Sequence, residues 1–254
     1  MSPEPSFLVG SDQPGQLFRL LDGRLPEAPA ARKKEKPDFE ILLALPPNAG
    51  SPHGALLALG SGSRANRRRG VVVTLGADGN ALASRVADLT PLFTPLDAYF
   101  KETNLEGAAI RGHEFLLFQR GNTGTAVNAI VAYPLDAMLE FLSNPTVVLP
   151  PPDIRKVDLG VSKGVPLGFN DAAVLPDGRI VFAAAAEANS TAYDDGALSG
   201  AVVGLMDRTG AILNKRSWSP LVKVEGITVR LEGDSIHLNA VTDADNPEIV
   251  TTLL

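Results

Sequence analysis

Four acidic residues recur at similar places in the sequence, each at or near the start of a short apolar run. They are Glu40, Glu106, Asp171 and Glu225, separated by 66, 65 and 54 residues. Carboxylates that converge repel each other, and their pKa values rise unless a cation or a hydrogen-bond donor neutralises them. Oxygen ligands of this kind suit a hard divalent cation such as Ca²⁺. The four acids are therefore the predicted metal ligands, and Glu106 and Asp171 are the predicted catalytic residues of a metal-assisted hydrolase.

Polar residues at the ends of the strands that follow these acids form a second candidate set. The predicted ligand-binding residues are Arg64, Gln119, Arg120, Asn122, Glu187 and Asp243. Arg64 and Arg120 suit the phosphate or carboxylate groups of a ligand, because a guanidinium binds such groups with two parallel hydrogen bonds. Asn104 and Asn170 precede their acids by two residues and one residue, and they offer additional amide oxygens to a cation.

The long period of the acid-headed runs predicts the architecture that positions them. Paired strands repeated at this spacing are typical of propeller blades, so we predict an all-β protein with a β-propeller fold. The prediction is one domain over residues 1–254, with five blades of which the first is incomplete. The approximate blades are 1–37 (partial), 38–90, 104–160, 168–220 and 223–254. The alternative is four blades closed by the N-terminal strands, which would remove an open sheet edge.

Two helices are predicted between the strands. Thr94 followed by Pro95 is typical of a helix start, and Leu92, Leu96 and Phe100 share one apolar face. A second helix is predicted over residues 134–142. Near the N-terminus, residues 6–9 and 17–21 are predicted strands joined by a turn at residues 12–15.

Composition excludes several classes of protein. The chain has 24 Gly and 20 Pro, which suits many short strands and turns. Its 23 basic and 29 acidic residues give a net charge of −6, which argues against a nucleic-acid partner. There is no Cys for disulfide or thiolate chemistry. No apolar run approaches the roughly 18 residues of a membrane span. The first residues lack an export signal, so we expect a cytoplasmic protein, or a periplasmic one if the N-terminus is truncated.

Motifs for other chemistries are missing. Residues 60–64 carry glycines after a strand but lack the spacing and the Lys-Ser/Thr ending of a P-loop, so no nucleotide cofactor is expected. There is no Gly-x-Ser-x-Gly elbow for a serine nucleophile. His53, His113 and His237 share no spacing typical of a zinc site. The expected cofactor is therefore Ca²⁺ or another divalent cation.

Several motifs together resemble those of a known family. They are residues 36–40 (KPDFE), 57–64 (LALGSGSR), 104–108 (NLEGA), 118–122 (FQRGN) and 242–247 (TDADNP). They resemble a family of uncharacterised bacterial β-propeller proteins, which is distantly similar to the phytase-like esterase propellers. The resemblance covers most of the chain from about residue 20 and implies a propeller fold. It departs from the family in one respect, because a complete first blade is expected there and this chain begins inside one.

Two functions of different class remain open. The favoured function is binding of a small anionic or polyhydroxylated ligand at the mouth of the propeller channel, with metal-assisted hydrolysis of an ester or lactone as the reaction. The alternative is a non-catalytic scaffold for a protein partner. In that case the repeated acids accept hydrogen bonds from backbone N–H groups of the next blade and fasten neighbouring blades together.

Overall fold

The computed structural model describes residues 18–121, 127–144, 146–188 and 197–242. Within these ranges the chain forms antiparallel β-sheets and three short α-helices, which confirms the predicted all-β class. Three of the sheets contain four strands and two contain two strands. In each four-stranded sheet the strands lie side by side in chain order, so each sheet is a meander of consecutive hairpins.

Four of these sheets are named I to IV in chain order. Sheet I contains β1 (Phe39–Leu45), β2 (Ala55–Gly60), β3 (Arg69–Leu75) and β4 (Ala81–Asp88). Sheet II contains β5 (Leu105–Arg111), β6 (Glu114–Gln119), β7 (Ala129–Pro134) and β8 (Asp153–Lys156). A small hairpin of β9 (Val161–Ser162) and β10 (Val165–Pro166) follows. Sheet III contains β11 (Gly168–Val174), β12 (Ile180–Glu187), β13 (Leu198–Met206) and β14 (Ile212–Ser217). Sheet IV contains β15 (Val224–Glu232) and β16 (Ser235–Thr242).

The first strands of sheets I to IV lie next to one another. β1 contacts β5, β5 contacts β11, and β11 contacts β15. The remaining strands of each sheet follow in chain order away from this row. Residues near the start of each first strand can therefore meet, although they are 54 to 66 positions apart in sequence.

Apolar side chains fill the spaces between successive sheets. Leu57 of sheet I and Phe115 of sheet II belong to one buried cluster. Phe118, Phe169 and Phe182 link sheets II and III, with ring centroids 5.4 and 5.8 Å apart in edge-to-face geometry. Such pairs stabilise a core by more than their buried area contributes. The packed cores fix the sheets relative to each other and so fix the row of first strands.

The three helices are α1 (Pro29–Glu35), α2 (Thr90–Leu96) and α3 (Leu135–Ser143). The helix predicted over residues 134–142 is confirmed by α3, and the predicted apolar face of the preceding helix is buried. The predicted start of that helix at Thr94 is wrong, because α2 begins at Thr90. Thr90 and Pro91 repeat the same start signal four residues earlier, and Asp88 Oδ1 accepts the Thr90 N–H at 2.9 Å.

The first described residues pack on the face of sheet I that is turned away from sheet II. Leu20 is buried there against Ala58 and Val71, with Phe18 and Leu21 beside it. The strand predicted over residues 6–9 lies outside the described residues. Among the helices that the structure describes, none has the length and apolar character needed to cross a membrane.

Candidate metal centre

The four first strands share one local irregularity, a β-bulge near the start of the strand. In β1, Phe39 pairs with Gly60 and Ile41 pairs with Leu59, so Glu40 is an extra residue without a cross-strand partner. The same register shift leaves out one residue in each of the other first strands, namely Glu106 in β5, Asn170 in β11 and Glu225 in β15. A bulge redirects a side chain away from the regular ladder. These four residues therefore occupy equivalent positions in sheets I to IV.

Three of the four bulge residues bring their carboxylates together. One oxygen from each of Glu40, Glu106 and Glu225 lies within 4.8 Å of the other two. Glu106 is buried, whereas Glu40 and Glu225 are half-buried, with Oε1 of Glu225 itself buried. We call this group the carboxylate cluster.

The fourth bulge residue supplies a neutral oxygen. Asn170 is 1% exposed, and its Nδ2 donates to the carbonyl oxygen of Val224 at 2.8 Å. Its Oδ1 is buried and has no hydrogen-bond partner among the described residues. A buried polar oxygen in this state is costly, so it indicates a missing partner such as a water or a cation. The contact with Val224 places the amide beside Glu225, which follows Val224 in the chain.

Two basic residues and a fourth glutamate support the carboxylate cluster. Arg120 lies 3.3 Å from Glu106 through Nη1 and donates to Glu187 through Nη2 at 2.7 Å. Lys223 Nζ lies 2.9 Å from Glu225 and 3.4 Å from Glu187. When these six groups are ionised, four negative charges face two positive ones, so carboxylates outnumber cations within the group.

The pKa values show the same crowding of negative charge. Burial raises the pKa of Glu106 to about 7; Arg120 opposes this shift and Glu225 adds to it. Burial and the carboxylates of Glu106 and Asp38 raise the pKa of Glu40 well above its ordinary value. Burial lowers the pKa of Arg120, but Glu106 and Glu187 outweigh that effect, so its pKa is raised. A proton or a cation bound to the carboxylates of Glu40 and Glu106 would therefore stabilise the folded protein.

The corner that precedes Glu40 is held by a separate buried network. Asp38 accepts a hydrogen bond from Ser61 Oγ at 2.8 Å, pairs with Lys36 at 2.9 Å, and pairs with buried Arg67. Asp38 itself has φ of +55°, an uncommon conformation for a residue with a side chain. This network fixes the entry into β1 and so helps to fix the direction of Glu40.

Asp171 lies one position beyond the bulge residue and does not join the carboxylate cluster. Its Oδ2 accepts the N–H of Ile227 at 2.8 Å, and its Oδ1 accepts the N–H of Ala172 at 2.8 Å. On its other side lies Gly107, where a Cβ atom would come within 2.8 Å of Asp171 Oδ1. Asp171 therefore connects β11 to β15 while packing against β5. Burial raises its pKa to about 7, although the two N–H groups lower it.

The predicted ligand-binding residues have different surroundings. Gln119 is fully buried, and its amide contacts the N–H of Asn104 and the carbonyl oxygens of Glu102 and Arg120. Arg120 and Glu187 form the buried ion pairs described above. Arg64 is half-buried and precedes a 3₁₀ turn at Ala65–Arg67. Asn122 and Asp243 lie outside the described residues.

Sequence reasoning missed one residue of the site, Lys223. It named Asn170 as an additional oxygen donor, but it aligned Asp171 rather than Asn170 with the glutamates. The sequence does contain a signal for the correct alignment, because an apolar residue precedes each bulge. These residues are Phe39, Leu105, Phe169 and Val224. Aligning the chain on them, rather than on acidic character, places Asn170 with Glu40, Glu106 and Glu225.

Fold and site define an all-β protein in which sheets I, II and IV contribute carboxylates to one cluster. By sequence, the chain belongs to the Family of unknown function (DUF6910), whose match covers residues 32–247. The matched region includes all four bulge residues and both basic residues of the site. No curated protein matches the chain.

Proposed function

We propose that this protein binds one divalent cation, with Ca²⁺ as the favoured ion, through Glu40, Glu106 and Glu225. The observation that carries the proposal is the approach of their three carboxylate oxygens to within 4.8 Å of one another. Ca²⁺ binds oxygen ligands at about 2.3–2.6 Å, so two oxygens on opposite sides of one ion are separated by about 4.6–5.2 Å. Separations of up to 4.8 Å therefore fit a single ion.

Asn170 and the local charge support the choice of ion. The unpartnered Oδ1 of Asn170 is the amide oxygen expected of a fourth ligand from sheet III. The donor set contains oxygen only, which favours Ca²⁺ or Mg²⁺ over Zn²⁺ or copper. A divalent ion would also offset the excess of carboxylates over cations around Arg120 and Lys223.

We also propose that the sheets are arranged as the blades of a β-propeller. Equivalent bulges in sheets I to IV and the row of adjacent first strands support a radial arrangement, the β-propeller predicted from the repeat. Leu20 and its neighbours pack on the outer face of sheet I, which is compatible with five blades. Four blades closed by the N-terminal strands is the alternative form.

A cation at this position would allow the site to bind a small ligand and to hydrolyse an ester or lactone. The half-buried Glu40 and Glu225 leave the cluster open to a small ligand, and an anionic or polyhydroxylated molecule has the oxygens to complete the coordination shell. A bound divalent cation polarises a carbonyl group and lowers the pKa of water, which is the chemistry of ester or lactone hydrolysis. The choice of this reaction class rests on the distant similarity to phytase-like esterase propellers that we infer from the sequence motifs alone.

Glu106 is the favoured proton acceptor for such a hydrolysis. Without a bound cation, the pKa of its carboxyl group and that of Asp171 are both raised to about 7, and a cation bound to Glu106 would lower its pKa. Both oxygens of Asp171 accept backbone N–H groups. Glu106 accepts a hydrogen bond from Asn104 Nδ2 at 2.6 Å and pairs with Arg120, but its carboxylate lies in the cluster beside Glu40 and Glu225, where the hydrolysis would occur.

The hydrogen bonds of Asp171 favour a structural role for that residue, which is the role that the alternative function, a non-catalytic scaffold, assigns to the repeated acids. Its hydrogen bond to Ile227 fastens sheet III to sheet IV, which is what a non-catalytic scaffold requires of its repeated acids. If the glutamates have the same purely structural role, the protein is a scaffold for a protein partner and its carboxylate cluster takes up no cation.

Calorimetric titration with Ca²⁺ tests the cation site. We expect one site per chain in the wild type, with affinity lowered about tenfold or more in Glu40→Gln, Glu106→Gln and Glu225→Gln, because charge count sets Ca²⁺ affinity. Glu140→Gln, on the exposed side of α3, is the matched control and should bind like the wild type. Binding that is absent, or unchanged in all three variants, would overturn the proposal. A parallel assay with acetate esters and lactones, with and without Ca²⁺, tests the reaction.

A further inference from the structure

A second concave site lies at the opposite end of sheet I from the carboxylate cluster. It is a cavity of about 290 Å³ between the face of sheet I and helix α3, open to solvent along the exposed residues Ala83, Ser84 and Arg85. Leu45, at its edge, is five residues along β1 from Glu40, or about 16 Å of extended strand. The cavity is therefore separate from the cation site.

Small side chains in one cross-strand row create the hollow. Leu45 pairs with Ala55, Ala55 with Thr74, and Thr74 with Ala83, so these four residues form a ladder across all strands of sheet I. The two alanines leave space that larger residues would fill. Leu139 and Leu142 of α3 lie across the ladder and form the opposite wall.

The cavity combines an apolar wall with one cation. Arg85 carries the only charge among the described residues that line it. Arg85 follows Ala83 by two residues on the same strand, so both side chains point to the same face. Its Nη2 donates to the carbonyl oxygen of Leu142, and the rest of the guanidinium makes no hydrogen bond within the described ranges. Ser51, which is only 6% exposed, adds a hydroxyl group to the lining.

We propose that this cavity binds a small aliphatic monocarboxylate. Its carboxylate meets the free N–H groups of Arg85, and its hydrocarbon chain lies against Leu139 and Leu142. The volume holds about ten water-sized groups, which corresponds to a chain of six to eight carbons. Sites of this size and character are typical of small ligands, in which a few polar groups fix the orientation of an apolar body. A ligand of so few atoms binds with a dissociation constant of about millimolar order.

An NMR titration of the full chain with hexanoate tests this site, and hexan-1-ol is the neutral control ligand. We expect saturable shifts at Ser51, Thr74 and Arg85 with hexanoate, and binding at least about tenfold weaker with the alcohol, because the charged hydrogen bond is lost. Arg85→Met should weaken hexanoate binding by a similar factor. Arg216→Met is the matched control, since Arg216 occupies the same outer-strand register in sheet III.

A second variant tests the cavity itself. Ala83 is exposed at the cavity mouth, so Ala83→Leu fills the space without disturbing the core and should abolish binding of both ligands. Equal binding of alcohol and carboxylate would overturn the role of Arg85. Hexanoate binding that survives Ala83→Leu, or the absence of saturable binding up to tens of millimolar (about tenfold above the expected constant), would overturn the site.

Discussion

The carboxylate cluster and Asp171 show how one step along a strand changes the role of an acid. Glu40, Glu106 and Glu225 are bulge residues, so their side chains leave the ladder and converge. Asp171 is in regular register with Ala183, and its carboxylate is engaged by backbone N–H groups instead. The first group is crowded with negative charge and suited to a cation, whereas the second is satisfied by the protein. Position relative to the bulge, rather than residue type, separates the two roles.

The largest expected effect is on stability, from removing Asp171. Asp171→Ala leaves the N–H groups of Ile227 and Ala172 without their acceptor, and each buried unsatisfied donor costs about 1–3 kcal/mol. We expect the free energy of unfolding in urea to fall by about 2–4 kcal/mol, with Ca²⁺ affinity unchanged in the folded variant. Loss of Ca²⁺ binding with unchanged stability would place Asp171 in the cation site and remove the contrast with the glutamates.

Removal of the cation should give the next largest effect. A ligand at one hundred times its dissociation constant stabilises the folded state by about 2.7 kcal/mol. We therefore expect EDTA to lower the melting temperature of the wild type in Ca²⁺-containing buffer by several degrees, about 2–4 °C per kcal/mol for a chain of this size. The melting temperature of Glu40→Gln should respond about half as much or less, because a site weakened about tenfold gains only about 1.4 kcal/mol or less at the same Ca²⁺ concentration. An equal response in both proteins would mean that the cation binds elsewhere.

Gly107 offers a way to test the position of Asp171. A Cβ atom at residue 107 would lie 2.8 Å from Asp171 Oδ1 and 3.1 Å from Ala172 N, so Gly107→Ala should destabilise the protein by roughly 1–2 kcal/mol. The cost should shrink in an Asp171→Ala background, because the side chain that it meets is gone. Gly50→Ala, where the nearest atom is 3.5 Å away, is the control. Equal costs in both backgrounds would contradict the contact.

The free energy of unfolding should fall as pH rises, which is the opposite of the trend in a protein stabilised mainly by salt-bridged carboxylates. The pKa values of Glu106 and Asp171 are about 7 in the folded chain, above the values of about 4.3 and 3.9 expected when unfolded. The folded state therefore binds more protons between these values, and stability falls as pH rises. We expect stability in EDTA to be highest near pH 4.5 and to fall through pH 7. Unfolding in urea at several pH values measures it.

A matched variant gives the control for this trend. Glu106→Gln removes one of the acids with a raised pKa and should reduce the fall in stability between pH 4.5 and pH 7. In the wild type, Ca²⁺ affinity should rise over the same range, because the ligands must lose their protons to bind the ion. Stability that rises with pH in EDTA would contradict the raised pKa values.

The smallest effect is expected from Glu40→Gln in the absence of a cation. Burial and repulsion by neighbouring carboxylates raise the pKa of Glu40, so its charge destabilises the folded protein. Since Glu40 is half-buried, solvent screens part of this cost, and the gain in stability should be roughly 0.5–1 kcal/mol. Urea unfolding in EDTA would show it. A clear loss of stability would mean that Glu40 has a structural partner like that of Asp171.

The sequence was sufficient for the fold class and for the three glutamates whose carboxylates converge. Alternating apolar runs and turn residues indicate strands, and the recurrence of Glu40, Glu106 and Glu225 shows that they occupy equivalent positions. The positions of acidic residues alone could not show that Asn170, rather than Asp171, is equivalent to the glutamates. That equivalence depends on which residue the hydrogen-bond register leaves out. Lys223 was missed because a lone lysine on a strand end carries no signal until Glu187 and Glu225 are placed beside it.

The central claim is most directly tested by counting bound Ca²⁺. Wild type and the double variant Glu40→Gln/Glu225→Gln would be equilibrated with Ca²⁺ and dialysed, and the metal per chain would be measured by inductively coupled plasma mass spectrometry. The carboxylate cluster predicts one ion per wild-type chain and none in the double variant, with Asp171→Ala retaining its ion. No ion in the wild type, or equal content in wild type and double variant, would show that the convergent glutamates do not form a cation site.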